Sequence, residues 1–152
     1  MSRVADRLAE LGLALPDVVP PVAAYVPAVR NGSLVWTSGQ LPMAGGKLLR
    51  EGLVGADVTA DDAKELARTC ALNALAAVGS VADLDAVVRV VKVVGFVASA
   101  PGFYGQPGVV NGASELLGDV FGEQGRHARS AVGVAVLPLN APVEVEIVVE
   151  VS

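Results

Sequence analysis

The chain has 152 residues, 53% of them hydrophobic and 18% charged, with a formal net charge of -5. That length suits one domain closing its own core, and the composition excludes a disordered chain, while the acidic balance opposes broad contact with a phosphate backbone and no Lys/Arg run supplies a local patch. A lone cysteine, Cys70, excludes an intrachain disulfide, and the apolar runs end well short of the roughly 20 residues of a membrane span, so a cytoplasmic protein is expected.

In chain order, Val4, Leu8 and Leu11 recur at helical spacing and predict a short amphipathic helix over 3–13, ended by Pro16, Pro20 and Pro21. Two apolar stretches around Asn31-Gly32 predict a hairpin over 23–42 with a type I′ turn, and Val35 and Trp36 are assigned to the core. Gly45-Gly46 marks a second turn, followed by a short strand in "KLLREG". Thr59 with Asp62 forms a capping box opening a helix over 59–79, with Cys70 as inert core on its apolar face. The valine-dense stretch 86–98 reads as a strand, 111–122 as a second long helix, and 128–138 and 143–151 as a final strand pair joined by a turn at 140–142. Strand pair, helix, strand, helix and strand pair predict an α+β sandwich, one sheet with both long helices on one face. The opposite face then needs cover, and a chain this apolar finds it in sister copies.

Few residues are equipped for chemistry. One His and one Cys leave too few ligands for zinc, and no triad context or phosphate-binding glycine loop is present, so no metal and no cofactor are expected. Polar groups remain at the ends of apolar strands: Tyr25, Ser38, Gln40, Asn111, Arg129 and Glu144. By itself Arg129 reads as half of an ion pair with Glu144 or Glu146, which alternate along one strand and share a face. His127 reads as part of a solvated turn.

The order of motifs is more specific. "AYVPAVRNGSLVWTSGQLP" resembles the first hairpin of the RidA/YjgF family, the reactive-intermediate imine/enamine deaminases also labelled L-PSP endoribonucleases. "RHARSAVGVAVLP" followed by "VEVEIVVEV" resembles its C-terminal signature, and "VNGASELLGDVFG" its second helix. The resemblance covers residues 22–151 and points to a longer branch of about 150 residues, the whole chain 1–152 being one such domain and 1–21 an N-terminal extension. It implies a chorismate-mutase-like fold, a homotrimer with clefts between subunits, and hydrolysis of 2-imino acids or their enamines to 2-keto acids and ammonia.

The same resemblance implies the roles of the residues. Arg129 would bind the substrate carboxylate, Tyr25 form an aromatic wall, Ser38 and Gly39 border the cleft, Asn111 lie near it, and Glu144 orient or deprotonate the attacking water. The family's Gly-Pro before the tyrosine is Ala23-Ala24 here, its proline before Ala-Arg-Ser is His127, and its cysteine after Arg-Ser is Ala131, whose carbonyl remains to hold a water. Two alternatives stay open: a non-catalytic trimer that binds a small carboxylate, and an endoribonuclease.

Overall fold

The computed structural model describes residues 2–152. Helix α1 (Arg3–Glu10) starts at Ser2, whose hydroxyl accepts the Ala5 N–H, and it buries Val4 and Leu8. The Asp85 carboxylate accepts the backbone N–H groups of Arg3 and Val4, and Arg7 Nε donates to the Asp119 carbonyl at 2.7 Å. An anion at a helix N-terminus satisfies donors that have no partner inside the helix. The hydrogen bonds to that helix end hold the Asp85 carboxyl below its ordinary range.

Strands β1 (Ala28–Asn31) and β2 (Leu34–Thr37) form the hairpin, with Asn31 opposite Leu34. That register places the turn on Gly32-Ser33 rather than Asn31-Gly32. Gly32 has φ +63° whereas Asn31 and Ser33 do not enter positive φ, so the expected type I′ turn is replaced by one with glycine at its first central position. A second two-residue turn at Gly45-Gly46 joins β3 (Met43–Ala44) to β4 (Lys47–Leu48), a two-stranded ribbon separate from the main sheet.

Helix α2 (Ala60–Gly79) is capped by Thr59, which accepts the Asp62 N–H as the capping box requires. Strand β5 (Val87–Ala98) leads into α3 (Gln106–Phe121), which starts five residues earlier than its expected beginning at Asn111. Pro107 sits in the first turn, where a missing N–H costs nothing, so a stretch that reads as a breaker is helical. Lys64–Glu115 and Arg68–Asp119 step along both helices in the same direction, so α2 and α3 run parallel. They meet at Gly112, where a Cβ would run into the Lys64 carbonyl oxygen. Gly112→Ala is therefore expected to destabilise the fold by about 1–3 kcal/mol through overpacking, measurable as a lower denaturant midpoint.

Strands β6 (Ala128–Val134) and β7 (Val143–Val151) end the chain. They are not the adjacent pair expected from their succession: the sheet order is β1-β2-β7-β5-β6, with β6 parallel to β5 and β7 inserted antiparallel between β2 and β5. The α3 crossover makes β5 and β6 parallel, and that leaves the central slot for β7.

The result is the α+β sandwich, one mixed sheet with both long helices on one face. Val143, Val145, Ile147, Val149 and Val151 of β7 are buried beneath those helices. The other face is bare. Trp36, opposite Val148 and assigned to the core by its neighbours, stands on this face and is 50% exposed, alongside Val29 and Val132. Val35 is buried as expected, because it alternates with Trp36 onto the helix side. No helix among the described residues is long and apolar enough to cross a membrane.

Candidate functional site

Arg129 lies on β6 opposite Val93, a core residue, and its half-buried side chain reaches α3. Nη1 donates to Asn111 Oδ1 at 2.8 Å and to Ser114 Oγ at 3.2 Å, and Nη2 donates to the Pro107 carbonyl at 3.2 Å. All three partners are neutral. Among the described residues Arg129 joins no ion pair, so the expected bridge to Glu144 or Glu146 is absent. Sheet order explains it: β7 is separated from β6 by β5.

His127 is not in a solvated turn. Its Nδ1 lies 2.6 Å from the Gly125 carbonyl, which can only accept, so Nδ1 carries a proton. In the neutral ring Nε2 then accepts from the Ser114 hydroxyl at 2.9 Å, and that hydroxyl in turn accepts from Arg129. Gly125, His127 and Ser114 thus form a chain that ends on the guanidinium and fixes its plane. Ser114→Ala is expected to weaken 2-keto acid binding about three- to tenfold, the value of one such hydrogen bond, as read by titration calorimetry. Unchanged affinity would show that Asn111 and Pro107 suffice. Ser114 was not legible as a site residue, since a helical serine carries no signal until the strand beside it is known.

Glu144 lies on β7 between Val143 and Val145, both in the core, so it takes the bare face of the sheet. It is half-buried, and burial followed by the charge of Glu146 pushes its carboxyl above the ordinary range. Its side chain lies directly on Gly39, where any Cβ would collide with the carboxylate. The glycine is there for close approach. Ser38 serves a different purpose from its neighbour: its Oγ donates to the Val26 carbonyl at 2.6 Å and its N–H to the Pro27 carbonyl, clamping the segment that carries Tyr25.

Tyr25, Gly39, Gln40 and Glu144 line one cavity of about 570 Å³, whose lining also includes residues 16–22 and Leu139. The Tyr25 hydroxyl accepts the Val22 N–H at 3.3 Å. Asn111, Arg129 and Ala131 do not line that cavity. Arg129 and Ala131 alternate on the helix side of β6, with Ala131 packed against the core beside Gly95. Within one chain the guanidinium and the carboxylate therefore face opposite sides of the sheet.

Cys70 is buried on α2, and burial above all pushes its thiol well above its ordinary value, which leaves it inert. No group of three or more His, Cys, Asp or Glu residues is arranged to hold a metal ion among the described residues.

Comparison with known proteins gives the site its context. Residues 5–151 match the family model described as "YjgF/chorismate_mutase-like, putative endoribonuclease". "Protein TCP17" of Trypanosoma cruzi is 45% identical over 152 residues, 99% of this chain and 95% of that protein. The crystal structure of Atu1372 from Agrobacterium tumefaciens, a protein of unknown function, superposes with a TM-score of 0.92 at 49% identity, covering 99% of this chain and 93% of that one. A "putative endoribonuclease" from Shewanella oneidensis MR-1 superposes with a TM-score of 0.94 at 34% identity, covering 97% and 99%. Matched along nearly its whole length, in sequence and in the chorismate-mutase-like sandwich alike, the chain belongs to the YjgF/RidA family.

Proposed function

We propose that the chain hydrolyses 2-imino acids to 2-keto acids and ammonia in clefts shared between copies of a homotrimer, in the cytoplasm and without a cofactor. The observation that carries this reading is Arg129, a half-buried guanidinium held by neutral partners alone. Such a charge is built to meet an anion, and a planar fork suits a carboxylate. Glu144 supports the chemistry: a carboxylate whose proton affinity is raised by burial is a better base near neutral pH than an exposed one.

Because Arg129 and Glu144 face opposite sides of their own sheet, the reading joins them across two copies. The bare apolar face around Trp36, Val29 and Val132 supports that assembly, since a monomer leaves it in water. In the shared cleft the substrate carboxylate sits on Arg129, near Asn111 and the Ala131 carbonyl, while the imine carbon faces Glu144 and the wall of Ser38, Gly39 and Tyr25. Glu144 takes a proton from water as its oxygen bonds to the iminium carbon. The proton then passes to nitrogen, the C–N bond breaks and ammonia leaves, and as the C=O forms Glu144 takes the remaining hydroxyl proton. An iminium carbon is already electrophilic, so positioning and one proton shuttle are sufficient.

An amino-acid oxidase generating imines in situ tests this, with 2-keto acid and ammonia release followed in the presence of the protein. Acceleration above the spontaneous rate is expected. No acceleration, with 2-keto acid still bound, would assign the clefts to a non-catalytic carboxylate-binding trimer. Cleavage of RNA is the less supported activity: the net charge of -5 repels the phosphate backbone.

A further inference from the structure

We propose that the cavity beside Glu144 is a side-chain pocket with residues 16–22 as its specificity-determining wall, selecting 2-imino acids with an aromatic-sized apolar side chain; this rests on the deaminase reading. The first support is size and lining. A cavity of about 570 Å³ falls within the range that encloses a whole small ligand. Val18, Val19 and Val22 line it together with Leu41, Met43 and Leu139. A ligand with only a methyl side chain would leave most of that apolar wall against water.

The wall is held in place at both ends. Before it, α1 is fixed by its buried Val4 and Leu8 and by Asp85 and Asp119; after it, Ser38 clamps Val26 and Pro27. Prolines at 16, 20 and 21 restrict the backbone in between, so the pocket is formed before a ligand arrives.

Charge gives the orientation. The charged side chains lining the cavity are Asp17 and Glu144, both acids, with no cation among the lining residues. A carboxylate is repelled from such a pocket, while a protonated imine is drawn to its Glu144 end and an apolar tail fills the remainder. This is the complement of Arg129, which takes the carboxylate outside it. Leu139 adds an independent observation: it is held at φ +59°, a left-handed conformation that a bulky residue rarely adopts. A glycine would sit there without strain, so the leucine side chain over the cavity is retained against a conformational cost.

The test compares kcat/KM for imines generated from phenylalanine and from alanine. The wild type is expected to favour the phenylalanine-derived imine by about tenfold or more, the discrimination that a fitted apolar pocket provides. Ala44→Trp, which fills the cavity from the exposed β3 ribbon, and Leu139→Gly, which removes one wall while relieving the backbone, should each cut that ratio about tenfold. An unpreferred phenylalanine imine, or a ratio unmoved by both variants, overturns the inference and leaves the deaminase reading standing. Should no imine be turned over, the deaminase reading fails. Calorimetric binding of phenylpyruvate against pyruvate then decides the pocket alone: tenfold tighter phenylpyruvate supports it, and equal or absent binding overturns it.

Discussion

Arg129→Ala is expected to lower kcat/KM for 2-imino acids about 10²–10⁴-fold, since two charge-assisted hydrogen bonds to a carboxylate are worth about 1.5–3 kcal/mol each. Arg129→Lys separates charge from shape. It keeps the cation but loses the fork, and should recover only part of the activity, with the deficit in KM more than in kcat. Stability should change little, because the groups left behind, Asn111, Ser114 and the Pro107 carbonyl, lie where water can reach them. A folded Arg129→Ala variant with undiminished turnover would remove the carboxylate clamp from the mechanism.

Glu144→Gln is expected to act in opposite directions on rate and stability. As a base the carboxylate works ionised, so wild-type activity should climb as pH rises through its elevated pKa and then level off. Glutamine should reduce kcat about 10²–10⁴-fold and flatten that rise. For stability the sign follows from linkage. A carboxyl whose folded pKa lies above its unfolded value binds its proton more tightly when folded, so stability falls as pH climbs from the unfolded to the folded pKa. Glutamine carries no charge to desolvate next to Glu146, so the variant should melt higher than wild type above that window and approach it in acid. Thermal melts from pH 4 to pH 8 beside a pH–rate profile would decide it; a lower melting temperature at neutral pH would show that the charged form is favoured instead.

Much of the architecture was written locally. β7 follows its alternating valines to the residue, and α2 begins where Thr59 caps it, because both signals are complete within a few neighbours. Other features depend on contacts that no local stretch encodes. Trp36 is as apolar as Val35, and only the layer above the sheet distinguishes buried from bare. The insertion of β7 between β2 and β5 follows from a crossover that spans α3, so the last two strands looked adjacent when they are not. The same insertion separates Arg129 from Glu144, which succession along the chain alone would set on neighbouring strands. Residues 16–22 show locally only the prolines that end the first helix, and nothing nearby in the chain marks the valines between them as the wall of a cavity.

Gly39 carries one further consequence. A single methyl group there would evict the Glu144 carboxylate from its resting place without altering either residue assigned to the chemistry. The site can thus be silenced through a position that contributes no chemical group of its own. Among descendants of this chain, a glutamate at 144 would be a poor guide to retained chemistry unless residue 39 were read with it. The two positions form one inherited unit, in which the missing side chain is as informative as the acidic one.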